Sequence, residues 1–72
     1  MDVREAALHE AIEKAGGQKQ LADLLELKPP SITGWILRKQ VPSGRVLEVE
    51  FVTGVSKHRL RPDIYPPPPK AA

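Results

Sequence analysis

The 72-residue sequence has no cysteine, only two histidines, and one residue each of Trp, Tyr and Phe. The lack of cysteine excludes a disulfide-stabilised fold and a zinc site with cysteine ligands. The sequence also lacks a long apolar run, and its first residues do not have the pattern of a secretory signal. We therefore expect a soluble, intracellular protein of one small domain that acts through its surface.

The elements of an active site are also missing. The sequence has no nucleophile placed beside a base and no glycine-rich loop that would hold a phosphate group. His9 and His58 lie far apart in the chain, without clustered carboxylates that would complete a metal site. We expect no enzymatic activity and no catalytic residue, and we expect neither a metal, a cofactor, a small-molecule substrate nor a membrane as a ligand.

The charges are distributed unevenly along the chain. Residues 1–26 carry three basic and six acidic side chains, whereas residues 27–47 carry four basic side chains and no acidic one. The formal net charge of the whole chain is only +2. A basic segment of this kind is the minimum that binding to phosphate groups requires, although it is also common on an ordinary solvated surface.

Apolar residues three and four positions apart predict an all-α fold of four to five helices. Asp2 is suited to cap the start of the first helix, and Gly16 is suited to end it in a left-handed conformation. Helices are predicted over residues 2–16, 17–25, 29–37 and 43–54, with a last short turn over 56–60. We assign residues 1–61 to a compact domain and residues 62–72 to an extended, Pro-rich tail.

The same spacing predicts the hydrophobic core. In the fourth helix we expect a rather wide apolar face, because apolar residues there occur at almost every position. The single tryptophan is expected in the core, since it stands on one stripe with two isoleucines. The predicted core residues are Ala7, Leu8, Ala11, Ile12, Ala15, Leu21, Ala22, Leu25, Ile32, Trp35, Ile36, Val46, Leu47, Val49 and Phe51.

The third predicted helix opens with Pro29 and Pro30. Proline is tolerated there because the first N–H groups of a helix have no partner within the helix. The side opposite the apolar stripe collects Pro30, Thr33, Gly34 and Leu37, with Ser31 on its flank. This side is small and nearly uncharged, and the basic residues Lys28, Arg38, Lys39 and Arg45 flank it.

The second and third predicted helices are both short and are joined by about three residues, which is the sequence form of a helix-turn-helix. Ala22 suits the close crossing of the two helices. In such a unit the second helix enters the major groove of DNA, which is about 12 Å wide. Thr33 can then hydrogen-bond a base edge or a phosphate and offer its methyl group to thymine. Leu37 could contact a thymine methyl group or a second subunit, or be an ordinary exposed leucine.

Two stretches, "GGQKQLADLLELKPPSITGWILRKQVPSGRVLEVEFVTG" and "HRLRPDIYP", resemble the Cro-like, YdaS-type helix-turn-helix regulators of bacteria and their phages. The resemblance covers roughly residues 5–66. It implies an all-α, lambda-repressor-like DNA-binding domain with a central helix-turn-helix, which acts as a transcriptional repressor or regulator and often as a dimer. Two residues depart from the family pattern. Glu26 stands where many members have a left-handed glycine, and Arg59 stands where a glutamate would complete a capping box with Ser56.

The resemblance also implies roles for individual residues. Gln18 and Lys19 match the helix start that grips phosphate, and Arg38 and Lys39 match the basic loop beyond the recognition helix. Residues matching the part that faces the bases are Lys28, Pro30, Ser31, Thr33 and Gly34. When these matches are combined with the outward face of the third helix, we expect base contacts from Pro30, Ser31, Thr33, Gly34 and Leu37. We expect phosphate contacts from Gln18, Lys19, Lys28, Arg38, Lys39 and Arg45.

These observations predict a sequence-specific repressor that binds a double-stranded DNA operator, with residues 29–37 as the recognition helix. We expect a homodimer at least on DNA, with half-sites about one helical turn apart, in the cytoplasm of a bacterial host and on its nucleoid. The alternative is an antitoxin-like or anti-repressor module that binds a protein on the same scaffold. Its contact surface would consist of Leu37, Val41, Tyr65 and the Pro-rich tail.

Overall fold

The computed structural model describes residues 1–67, which form five α-helices and no β-strand. The helices are α1 (Val3–Ala15), α2 (Gln18–Leu24), α3 (Pro29–Arg38), α4 (Val46–Thr53) and α5 (Lys57–Leu60). This architecture confirms the prediction of an all-α fold. Within the described part of the chain, no helix is long and apolar enough to cross a bilayer.

Helix α1 begins and ends where its capping residues predict. The Asp2 carboxylate accepts a hydrogen bond of 2.8 Å from the backbone N–H of Arg4, which satisfies one of the unpaired donors at the helix start. Gly16 ends the helix with a φ of +100°, a conformation that glycine adopts without a steric penalty. The helix therefore turns into α2 within two residues.

The turn between α2 and α3 is a Schellman motif. The backbone N–H of Leu27 donates to the carbonyl of Ala22 at 2.8 Å, and the N–H of Glu26 donates to that of Asp23 at 3.1 Å. Glu26 has a φ of +57°, so it keeps the left-handed conformation that the family pattern assigns to glycine. A non-glycine residue there costs about 1 kcal/mol. The turn geometry is therefore retained in spite of the glutamate.

The core is built around α1, which packs against α2, α4 and α5, while α2 packs against α3. Most predicted core residues are buried, and Ile12, Ala15 and Ile36 are partly buried against the same cluster. Ala22 is fully buried. The core also includes Val41 from the segment after α3, Val55 from the segment after α4, and Leu60 from α5.

The prediction for α4 is wrong in two respects. Leu47 is 54% exposed and Phe51 is 89% exposed, although both were expected in the core. The core side of α4 is formed by Val46 and Val49, from which Leu47 and Phe51 point away by about 100° or more around the helix axis. The α-helix also begins later than the predicted residue 43, because Ser43–Arg45 form a 3-10 turn that precedes it.

The segment after α5 folds back onto the domain. Pro62, Asp63 and Ile64 form a turn rather than the extended chain that the prolines predict. Arg61 holds this turn, since its guanidinium binds the Asp63 carboxylate at 2.7 Å and the carbonyl of Val41 at 2.9 Å. Tyr65 packs partly against the core. The rest of the predicted tail, from residue 68 onward, lies outside the described residues.

Candidate nucleic-acid interface

The position of α3 is determined by its apolar stripe. Ile32 is fully buried and Trp35 is 4% exposed, so both side chains fix the helix against the core. Pro29 and Pro30 occupy the first turn, and the extended residue Lys28 precedes them as the N-cap. The sequence therefore specifies both the start of α3 and the side that it buries.

The side of α3 that faces away from the core is accessible. Pro30, Thr33 and Leu37 are exposed, whereas Ser31 and Gly34 are half-buried. Leu37 has the largest apolar exposure on this helix, at 78%. Apart from its own stretch of helix, a Cβ atom added at Gly34 would meet no heavy atom of residues 1–67 within 4 Å, so the backbone there borders open space. All five residues predicted to contact bases thus lie on one accessible region of α3.

The end of α3 carries two cations. Lys39 adopts a left-handed conformation with a φ of +63°, and its backbone N–H donates to the carbonyl of Ile36 at 3.1 Å. The next residue, Gln40, donates to the carbonyl of Trp35 at 3.2 Å and accepts a hydrogen bond of 3.1 Å from the Arg4 guanidinium. These bonds fix the chain that presents Arg38 and Lys39, both of which are exposed.

The cations around α3 differ in whether they have an acidic partner. Lys19, Lys28, Arg38 and Lys39 form no ion pair with any residue among 1–67. Arg45 instead pairs with Glu48 at 3.1 Å, one helical turn along the chain. Arg45 is thus offset by a carboxylate that lies just beyond the basic segment of residues 27–47. A phosphate group would have to compete with that carboxylate for Arg45.

Several acidic side chains are held by arginines elsewhere on the molecule. Arg59, on α5, binds the Glu10 carboxylate of α1 at 2.5 Å and lowers its pKa. Hydrogen bonds from Arg61 lower the pKa of Asp63 to about 2. Both carboxylates therefore stay ionised and neutralise arginines away from α3. Among residues 1–67, five Lys or Arg side chains have no acidic partner, and four of them lie on or beside α2 and α3. The fifth is Lys57 on α5, which lies over the ring of Tyr65.

The predicted phosphate contacts on α2 lie at its first turn. Gln18 and Lys19 are both exposed there. Since α2 packs against α3, these side chains belong to the same helical pair as the exposed face of α3. The predicted residues of α2 and α3 thus lie on two helices that pack against each other, whereas Arg45 lies in the 3-10 turn before α4.

The contact surface predicted for the alternative function is not formed as a whole. Val41 is fully buried, and its carbonyl is bound by Arg61. Tyr65 is half-buried, and its carbonyl accepts a hydrogen bond of 2.9 Å from His58 Nδ1. Of the three residues named for that surface, only Leu37 is widely exposed. The apolar surface that sequence reasoning missed lies on α4, where the spacing of Leu47 and Phe51 at i and i+4 was its only signal.

Comparison with known proteins gave one finding. A family model described as bacterial toxin YdaS matches residues 8–69. No match was found among curated proteins or among solved structures. The matched region contains the whole helix-turn-helix and the cations around it. It supports the YdaS-type part of the resemblance, while the Cro-like repressor part stays a prediction.

Proposed function

The chain belongs to the YdaS toxin family, and from this premise we propose that it is a small regulator that binds double-stranded DNA in a sequence-specific manner and acts as a transcriptional repressor. The observation that carries the proposal is the surface of α3. Its outward side is small and uncharged, and cations without an acidic partner among residues 1–67 stand at both of its ends.

In the proposed complex, α3 lies in the major groove. A helix of ten residues is about 15 Å long, which suits a groove about 12 Å wide. Lys28 at the start of α3 and Arg38 and Lys39 at its end would bind phosphates on either side of the groove. Lys19 and Gln18 would bind the backbone from α2. These contacts set the register of the protein on DNA without reading its sequence.

Base recognition in this arrangement falls to Thr33 and Ser31. The Thr33 hydroxyl can bond a base edge while its methyl group packs against thymine, and Leu37 can make a second apolar contact. None of these side chains forms the bidentate hydrogen bonds that discriminate guanine or adenine most strongly. Part of the specificity would therefore come from bridging water and from the shape of the DNA.

In the bacterial cytoplasm, the bound chain would repress transcription by occupying a promoter. One chain of this size presents a small interface, so selective binding calls for two copies on an operator with two half-sites. The description of the family as a toxin is compatible with this mode of action, because a repressor of genes needed for growth inhibits growth. A toxin that acts on a protein partner is the second candidate, and the exposed Leu37 favours it.

The first test is binding to a labelled DNA duplex of mixed sequence at increasing salt, followed by fluorescence anisotropy. Each phosphate contact contributes a slope of about −0.9 to the logarithm of the binding constant against that of the salt concentration. With Lys19, Lys28, Arg38 and Lys39 engaged, we expect a slope of roughly −3 to −4 per bound chain. No binding at low salt would contradict the proposal and favour the protein partner.

Gly34→Ala should have opposite effects on stability and on DNA affinity. The added methyl group meets open space, and alanine is favoured over glycine within a helix by about 0.5–1 kcal/mol, so the free energy of unfolding should rise by that amount. The DNA affinity should fall at least tenfold, since the methyl group would occupy the space where the α3 backbone approaches the bases.

Urea unfolding and anisotropy measure the two effects of this substitution. Gly44→Ala is the matched control, because Gly44 also borders open space but lies in the 3-10 turn. Its DNA affinity should stay close to that of the wild type. A Gly34→Ala variant that binds DNA normally would mean that the glycine is an ordinary surface residue.

A further inference from the structure

Helices α2 and α4 form an open apolar groove on the surface, with a volume of about 420 Å³. Its lining residues, which define the α2–α4 groove, are Leu24, Leu25, Leu47, Glu48, Phe51 and Val52. Leu25 is buried and Val52 is half-buried, whereas Leu24 and Leu47 are about half-exposed. Phe51 is 89% exposed, so its ring projects from the edge of the groove into solvent. An exposed aromatic ring beside an apolar depression is typical of a protein contact surface.

The charges of the α2–α4 groove exclude some classes of partner. Among residues 1–67, Glu48 is the one charged residue that lines it, and Arg45 neutralises this carboxylate with contacts of 3.1 and 3.3 Å. The groove therefore offers no unpaired cation to a nucleic acid or an acidic peptide. The partner that fits it has an apolar knob with little charge around it.

We propose that the partner is a second copy of this chain, which packs its α4 against the first around a two-fold axis. The α2–α4 groove and its edge contain both components of such a contact, since Phe51 is the apolar knob and the groove next to it is the matching depression. A two-fold interface uses the same patch twice, so each Phe51 would enter the groove of the other copy. Leu47 and Phe51, at i and i+4, would form the central stripe of the contact.

The size of the patch predicts a weak dimer. The exposed parts of Leu24, Leu47 and Phe51 amount to roughly 350 Å² of apolar surface per copy. A stable interface buries about 800 Å² per partner. The contact should therefore be weak and reversible. The role of this dimer contact in the cell rests on the proposed function. Two adjacent half-sites of DNA would hold two copies of the chain side by side, so that even a weak contact could form.

Sedimentation equilibrium without DNA tests the interface independently of DNA binding. The wild-type chain should shift from monomer to dimer as its concentration rises from about 5 to about 500 μM. Phe51→Glu places a charge at the centre of the contact and should weaken the dimer at least tenfold. Val3→Glu is the matched control, since it introduces the same charge at an exposed apolar residue of α1 and should leave the equilibrium unchanged.

Circular dichroism will establish whether each variant is folded. We expect both to fold, because Phe51 is 89% exposed and Val3 is 48% exposed. A wild-type chain that remains monomeric at 500 μM, or a Phe51→Glu variant that dimerises as the wild type does, would overturn the proposal. Anisotropy measurements of DNA binding then distinguish a failure of the dimer interface from a failure of the proposed function. If the wild type dimerises but does not bind DNA, the interface stands and the DNA-binding function fails. If the wild type binds DNA but remains monomeric at 500 μM, the interface alone fails.

Discussion

Reversing the two charges at the end of α3, by Arg38→Glu together with Lys39→Glu, should reduce the affinity for DNA about 100-fold or more. Both side chains are exposed and form no ion pair with the described residues, so they are available to phosphate groups. The double substitution removes two attractive contacts and creates two repulsive ones. A 100-fold loss corresponds to about 2.7 kcal/mol, or roughly 1.4 kcal/mol for each position.

The salt dependence gives a second, independent readout of this substitution. Removing a phosphate contact lowers the magnitude of the slope by about 1, so the double variant should lose about 2. The fold should not change, because neither side chain contributes to the core. The measurement is the same anisotropy titration at several salt concentrations, with urea unfolding to establish that stability is retained.

The matched control is Lys14→Glu together with Lys57→Glu, which changes the net charge by the same amount. Lys14 lies 3.9 Å from Glu10, and Lys57 stacks on the ring of Tyr65, so neither belongs to the α3 surface. If this control weakens binding as much as the α3 variant does, the effect is one of overall charge. Growth inhibition by the expressed variants distinguishes the two candidate functions. Inhibition that persists in the α3 variant would point to a protein target.

Helix α3 could be predicted from the sequence because its signals agree with one another. Two prolines define its start, and a single stripe with Ile32 and Trp35 defines its buried side. The exposed face then follows from the helical period alone. This is why the residues predicted to contact bases lie together on the exposed face of α3.

Helix α4 could not be predicted in the same way. Its apolar residues surround most of the helix, so the period did not indicate which of them face the core. The choice depends on the position of α1, against which Val46 and Val49 pack, and this position is a property of the tertiary structure. Leu47 and Phe51 were therefore assigned to the core, and the groove beside them was missed.

Ion pairs between residues far apart in the chain could not be predicted from the sequence pattern either. Arg59 stands at the capping-box position but cannot accept the hydrogen bond that a glutamate would accept there. It instead binds Glu10, which is 49 residues away. Ser56 still caps α5 through a hydrogen bond of 3.1 Å from the His58 backbone N–H. A local departure from a family pattern was thus balanced by a tertiary contact.

Trp35→Ala should leave the protein largely unfolded at 25 °C. Trp35 is 4% exposed, and truncating a buried tryptophan to alanine costs about 3–5 kcal/mol. A domain of this size has a free energy of unfolding of only about 3–5 kcal/mol, so the loss is comparable to the whole. Loss of the folded state should remove DNA binding as well, because an isolated helix of ten residues is only marginally stable in water.

The controls for this prediction separate the packing of α3 from its contacts with DNA. Trp35→Phe keeps most of the apolar volume, so it should fold and bind DNA with an affinity near that of the wild type. Leu37→Ala removes a 78% exposed side chain from the same helix and should change the free energy of unfolding by less than about 0.5 kcal/mol. Urea unfolding followed by circular dichroism at 222 nm measures all three variants. If Trp35→Ala unfolds at a urea concentration close to that of the wild type, the tryptophan does not anchor α3, and the surface that α3 presents to DNA must be fixed by Ile32 and the turns at the helix ends instead.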